Sequence, residues 1–273
     1  MGGMNVSQTL VFLKLGGSLI TDKTRPHSPR SQVIARLAAE IRTAQAQNPE
    51  LRVLLGHGSG SFAHVPAKRH ATRDGVSSPA GWRGFAEVWY EAASLNRIVV
   101  DALHDAGLPA LAFPPSAGLI AQGGRTLRWE IGGMRAALEN GLLPVVYGDV
   151  VFDLERGGTI FSTEDVFTHL AREFHPQRIL LAGIDPGVWA DYPACTRLLP
   201  EITPETWGQA ESSLGGSAGT DVTGGMRSKV RGMLDLTTEI LGLEIMIFGG
   251  DQPGNVSAAL LGEQFGTRIA IGD

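Results

Sequence analysis

Short apolar runs that end in glycine alternate along this chain with longer stretches whose apolar residues recur every three or four positions. Leu10–Leu15 is an apolar run closed by Gly16-Gly17, which predicts a strand followed by a tight turn. From Ser31, which can cap a helix, Val33, Ile34, Leu37, Ala38 and Ile41 follow the 3.6-residue period. Leu51–Leu55 predicts a second strand, opening into the glycine- and serine-rich loop Gly56–His64. A long helix is expected from about Trp82 to Ala106, with Phe85, Val88, Trp89, Ala92, Leu95, Val99 and Leu103 on one stripe. Strands follow at Pro109–Phe113 and Leu143–Tyr147, with a glycine-turned hairpin around Gly123-Gly124 between them. A second hairpin is expected at Val150–Phe161, turning at Gly157-Gly158. Then come a helix over Glu164–Phe174, a strand at Arg178–Ala182 and a polar stretch over Pro186–Gly219. A helix from Gly225 to Leu241 and strands at Glu244–Phe248 and Arg268–Ile271, around a short helix at Val256–Leu261, complete the pattern.

Strands alternating with helices over the whole length predict an α/β fold with a largely parallel sheet. There is no internal repeat and no linker-like segment. The expected organisation is one domain of two lobes sharing a sheet, residues 1–162 and 163–273, the only soft boundary falling near Gly148–Phe161. In such sheets ligands sit at the carboxyl ends of strands, where the glycine loops fall.

Composition narrows the function. With 273 residues, 43% hydrophobic and 19% charged, the chain is long enough for a substantial core and is not of disordered composition. A net charge of −5 argues against non-specific nucleic-acid binding. The single cysteine, Cys195, cannot form an internal disulfide and fits a reducing cytoplasm. No apolar run is long enough for a membrane helix, and Met1–Thr9 lacks the pattern of a secretory signal. Glycine accounts for 36 residues, clustered in short loops after apolar runs. Of the 23 lysines and arginines only Lys14, Lys23, Lys68 and Lys229 are lysines, so each lysine invites a reason.

Lys14 lies inside an apolar strand, where a charge is costly without a partner, and Gly16-Gly17 after it suit a nest for phosphate oxygens. An edge-strand lysine reaching into water is the ordinary alternative. The Gly56–His64 loop offers many N–H and O–H donors for an anion, and His64, at its end, could pair with a bound phosphate. Gly58-x-Gly60-x-x-Ala63 satisfies the relaxed dinucleotide fingerprint, but no strand with an acidic end follows it, and a P-loop is excluded because no Gly-Lys dipeptide exists. In Thr220-Asp-Val-Thr-Gly-Gly-Met-Arg-Ser-Lys229 the paired glycines open a helix, whose free N–H groups favour an anion. Lys229 falls about 60° from the axis of the stripe Met226, Val230, Met233 and Thr237, bordering the buried face, where a snorkelling lysine would also sit. Tyr147-Gly148-Asp149 ends a strand at the ligand edge. In Ser162-Thr-Glu-Asp165, Ser162 or Thr163 can cap a helix; Asp165 either serves the helix start or orients cationic lysines. Trp82, Phe85 and Trp89, at i, i+3 and i+7, belong to the core or wall an apolar pocket.

Five of these motifs together resemble the amino acid kinase superfamily, and within it the isopentenyl phosphate kinase family. They are Lys14-Leu-Gly-Gly-Ser-Leu-Ile-Thr-Asp-Lys23, Gly58-Ser-Gly-Ser-Phe-Ala-His64, Tyr147-Gly-Asp-Val150, Ser162–Asp165 and Thr220–Lys229, in order and covering most of the chain. The resemblance implies an open αβα sandwich, usually dimeric, with a phosphate acceptor in the N-terminal lobe and ATP-Mg²⁺ in the C-terminal lobe. Lys14 and Lys229 would then grip the transferring phosphoryl group, with Asp165 orienting them, and Lys23 would contact the terminal phosphate of the nucleotide. Gly16, Gly17, Ser18, Asp185, Gly187, Gly225 and Met226 would complete the nucleotide site. His64 would hold the acceptor phosphate beside Ser59, Gly60, Ser61, Gly148 and Asp149, with Trp82, Phe85 and Trp89 around an apolar tail. No residues are assigned to the protein as metal ligands. Ser59 and Ala63 stand where the family commonly has glycine, and Ala182–Gly187 replaces its Thr-Asp-x-Asp-Gly pattern. Phosphorylation of isopentenyl phosphate is the activity implied. Fosfomycin kinase, a carboxylate kinase and a non-catalytic nucleotide-binding subunit are the alternatives.

Overall fold

The computed structural model describes residues 9–213 and 225–272, and there the alternating runs form one eight-stranded sheet covered on both faces. The N-terminal half supplies β1 (Thr9–Leu15), α1 (Gly17–Ile20), α2 (Ser31–Gln47), β2 (Leu51–His57) and α3 (Gly60–Arg69). It continues with α4 (Pro79–Asp105), β3 (Ala110–Ala112), β4 (Ile120–Gln122), β5 (Arg125–Arg128) and α5 (Gly132–Glu139). Next come β6 (Leu143–Tyr147), β7 (Asp149–Asp153), β8 (Gly157–Phe161), α6 (Thr163–Phe174) and β9 (Arg178–Gly183). Short strands β10 (Val188–Trp189), β11 (Leu198–Leu199) and β12 (Glu201–Ile202) precede α7 (Trp207–Ser213). The chain closes with α8 (Gly225–Glu239), β13 (Glu244–Gly249), α9 (Asn255–Leu261) and β14 (Thr267–Ile269).

The large sheet runs β12-β14-β13-β9-β1-β2-β6-β3, parallel throughout except where β14 meets β13. Its central strand, β1, is buried on both sides, which explains a run apolar on both faces, broken only by Lys14, rather than an alternating one. Leu10 and Phe12 enter the core beneath α6 and α8; Val11, Leu13 and Leu15 enter the other, beneath α2 and α9. Phe12 and Phe167 pack at 5.1 Å between ring centroids, fully buried, each worth roughly 1.5–3 kcal/mol of transfer free energy. A third, smaller cluster joins α3 and α4 to a separate four-stranded sheet, β5-β4-β7-β8.

Three local expectations change. The turn of the β7–β8 hairpin is made by residues 154–156, because the Asp153 carboxylate accepts N–H bonds from Glu155 and Arg156, and from Gly123 and Gly124 of the adjacent hairpin. Gly158 lies in β8 for lack of space: a Cβ there would stand 2.7 Å from the Phe85 ring. The Gly56–His64 segment is only in part a loop, since α3 starts at Gly60 and carries His64 in its second turn. The long helix begins at Pro79, where Ser78 Oγ accepts the Gly81 N–H at 3.0 Å and proline takes the first helical position.

Candidate functional site

Two glycine-bearing turns meet at the carboxyl ends of β1 and β2. A Cβ on Gly17 would lie 2.7 Å from the Gly60 backbone, so the turns approach at a distance no side chain allows. The Gly16 N–H donates to the Ala182 carbonyl at 2.8 Å and that of Gly58 to Leu15 at 3.0 Å, tying both turns to neighbouring strands. Gly16, Gly17, Ser18, Lys23, Gly58 and Ser59 consequently line one cleft across the sheet edge.

Lys14 is not at an edge. It lies on the central strand, opposite Gly56 and Leu181, and on the same face as Phe12, beneath α6 and α8. Its ammonium is 2.5 Å from Glu164 Oε1, and the Lys229 ammonium on α8 is 3.7 Å from the same oxygen. Lys14 and Glu164 are 8% and 9% exposed, so this ion pair is nearly stripped of water. Burial alone would raise the Glu164 carboxyl; the Lys14 and Lys229 charges and the Lys14 hydrogen bond outweigh it and hold the carboxyl down at about 2. Positive charge from β1 and α8 thus converges on the Glu164 carboxylate.

That anion is Glu164 and not Asp165, the acid expected to orient the lysines. Asp165 closes a capping box at the start of α6: its Oδ2 accepts from Ser162 N at 2.8 Å and from Ser162 Oγ at 2.7 Å, while its own N–H donates to Ser162 Oγ. Its carboxylate also lies 3.5 Å from Arg73. The helical period could have separated the two acids. Glu164 shares a face with the buried Phe167, Ala171 and Phe174, whereas Asp165 shares one with Thr168 and Arg172, neither of which is buried.

The cleft has two ends. At one, His64, Ser59 and Gly148 stand beside an apolar wall of Ala63, Ala67, Val88, Ile160 and Phe161. At the other, Gly183 ends β9 and Ile184 and Asp185 follow it, with Met226, Leu181 and Ile247 beside them. Asp185 is held by the Trp189 indole N–H at 3.2 Å. Lys14, Glu164 and Lys229 lie with Ser162 and Thr163 along the same lining.

Several expected residues do not line the cleft. Gly60 packs against Thr21 and Gly17, and Ser61 donates its N–H to Thr21 Oγ1 while its hydroxyl accepts from Ser28 N, so both brace the turn. Asp149 is fully buried, its carboxylate accepting from the Ser116 and Val150 N–H groups, and burial pushes its pKa up to about 6. Phe85 is buried within the third core cluster, Trp82 packs on Phe85 and Phe152 at its exposed edge, and Trp89 is exposed. The apolar wall comes instead from the smaller Val88 and Ile160. Gly187 backs onto Thr267, and Gly225 opens α8 at positive φ, next to the cleft-lining Met226. Thr220–Gly224, the first half of the lysine-bearing motif, lies outside the described residues.

Among the described residues, no three His, Cys, Asp or Glu side chains gather to hold a metal ion, and no helix is long and apolar enough to cross a membrane. Comparison with known proteins adds identity to this geometry. The chain is 36% identical to isopentenyl phosphate kinase of Methanothermobacter thermautotrophicus over 274 residues, covering 95% of this chain and 98% of that one. It is 32% identical to isopentenyl phosphate kinase of Methanocaldococcus jannaschii over 266 residues, with 95% and 98% covered. A solved isopentenyl phosphate kinase structure superposes with a TM-score of 0.81 at 32% identity, over 96% of this chain and 100% of that one. The model of the amino acid kinase family matches residues 9–249, and this chain belongs to that family.

Proposed function

We propose that this protein transfers the terminal phosphoryl group of ATP to isopentenyl phosphate, giving isopentenyl diphosphate and ADP. An oxygen of the acceptor phosphate forms the new P–O bond as the bond to the β-phosphate oxygen breaks, and ADP leaves with that electron pair. The second pKa of a phosphate monoester is about 6, so the attacking oxygen is largely deprotonated at neutral pH and needs no strong base. The barrier is repulsion between two polyanions, which alignment and positive charge relieve.

The observation that carries this reading is the convergence of Lys14 and Lys229 on Glu164 between the two ends of one cleft. In this reading the two ammonium groups hold the phosphoryl group in transfer, and Glu164 keeps them in register before nucleotide arrives. Lysine suits this work because a compact charge on a flexible stem can follow a moving group. His64, Ser59 and Gly148 hold the acceptor phosphate. Ala63, Ala67, Val88, Ile160 and Phe161 take the branched apolar tail, which favours this acceptor over a small polar one. Lys23, Ser18, Gly16 and Gly17 serve the nucleotide phosphates, and Asp185 and Met226 the nucleoside. Mg²⁺ would enter on those phosphates, because Mg²⁺ keeps phosphate and water ligands and takes few from protein; it would neutralise charge there. The acceptor lobe is residues 1–162 and the nucleotide lobe 163–273, in a cytoplasmic homodimer.

The deciding experiment measures ADP release with isopentenyl phosphate, fosfomycin and short alkyl phosphates side by side. Turnover fastest with isopentenyl phosphate supports the reading. ATP binding without transfer to any of them would refute it.

A further inference from the structure

His57 ends β2 with no exposed surface and does not line the cleft, yet three residues that do line it hang on it. Its backbone carbonyl accepts the Gly148 N–H at 3.2 Å and the Thr163 hydroxyl at 2.7 Å. Its ring Nδ1 lies 3.2 Å from the Gly58 carbonyl oxygen. On the far side, Nε2 lies 3.1 Å from the side-chain amide oxygen, Oδ1, of buried Asn96, from α4. The imidazole also stacks on Tyr147, 5.4 Å between centroids and 13° from parallel.

Both ring nitrogens face an oxygen, and only the Asn96 amide can turn, so one arrangement satisfies both. Burial lowers the imidazole pKa and the Lys14 charge lowers it further, against the opposing pull of the Gly58 hydrogen bond, so the ring is neutral. A carbonyl oxygen can only accept, so the one proton sits on Nδ1 and points at Gly58. Nε2 is then a bare acceptor, and a half-turn of the Asn96 amide, which exchanges Oδ1 for Nδ2 in the same place, presents an N–H to it. The Gly58–Ser59 peptide is planar and trans, so its C=O and N–H point in opposite directions. Anchoring the Gly58 carbonyl on a buried ring fixes the Ser59 N–H on the side away from that ring.

We infer that His57, held in its Nδ1–H tautomer by Asn96, is a positioning residue that aims the Ser59 N–H at the acceptor phosphate. This rests on the acceptor reading of the cleft given above. It gives the buried polar pair His57–Asn96 a task that packing alone does not require.

The first test needs no turnover. In wild-type protein with ¹⁵N-labelled histidine, His57 should show a protonated Nδ1 and an unprotonated Nε2, its signal identified by loss in His57→Phe. An Nε2–H tautomer or a doubly protonated ring would overturn the inference. The second test is kinetic. His57→Phe keeps a flat ring beside Tyr147 but cannot donate, so KM for isopentenyl phosphate should rise about 10-fold while KM for ATP stays within about twofold. An unchanged acceptor KM, or an equal rise in both, would overturn it. Should His57→Phe fail to fold, Asn96→Leu carries the test: the second tautomer should appear in the spectrum and the acceptor KM should rise about threefold. A ring unmoved in Asn96→Leu, with unchanged KM, would also overturn it. A wild-type enzyme inert toward isopentenyl phosphate would refute the acceptor reading itself, and the tautomer spectrum separates that failure from this one.

Discussion

Replacing Glu164 with glutamine removes the negative charge that both Lys14 and Lys229 approach while keeping the shape of the side chain. Holding this carboxyl at about 2 rather than the ordinary 4.5 corresponds to about 3 kcal/mol of stability at neutral pH. Breaking a buried ion pair by losing one partner gives the same order, about 3–5 kcal/mol, because the remaining charge is stranded. For a chain of this length that is a fall in Tm of roughly 6–9 °C. The folded pKa is depressed, so the stabilisation is present above about pH 5 and is lost as pH falls from 4.5 toward 2. Glu164→Gln should therefore be less stable at pH 7 and show a flatter acid limb in urea titrations. ATP should restore more stability to the variant than to the wild type, since its phosphates supply the missing negative charge to both lysines. Turnover should fall about 10–100-fold with KM for ATP unchanged or lower, the pattern of lysines that bind but are no longer held in register. Thermal shift with and without ATP, together with steady-state kinetics, decides the matter. A variant with wild-type Tm, acid limb and kcat would refute the claim that Glu164 organises the pair.

Lys14→Ala and Lys229→Ala should each lower kcat at least ~100-fold, about 3 kcal/mol of transition-state stabilisation; near-normal turnover in both would remove them from the mechanism. Asp165→Ala should cost about 1 kcal/mol through its cap while leaving kcat within about threefold, and a 100-fold loss would return it to the site. The raised pKa of buried Asp149 means the folded state holds a proton that the unfolded chain has released. Unfolding free energy should thus rise as pH falls from about 7 through 6 toward 4, and this rise should vanish in Asp149→Asn when urea midpoints are measured across that range.

Much of this protein was written in local sequence. The apolar runs and helical stripes specify strands and helices because burial on two faces of a parallel sheet demands continuous apolar residues, and Leu10–Leu15 and Leu143–Tyr147 meet that demand. The lysine scarcity pointed to Lys14 and Lys229, and Ser162 carries its capping signal in its own side chain. The helix over Gly132–Glu139 and the short strands between Val188 and Ile202 were not legible, since segments so short take their form from neighbours more than from their own pattern. The helical period puts Glu164 rather than Asp165 on the buried face, but only tertiary structure brought Lys14 and Lys229 to it. Only tertiary structure, likewise, put Asp149, Phe85 and Gly60 behind the cleft and Val88 and Ile160 on its wall. The physical reason is common to these cases. A residue's chemistry and its helical or strand face are set within a few neighbours, but whether it meets water, ligand or another side chain is set by segments distant in sequence, as Thr21 is from Gly60 and Lys14 from Glu164.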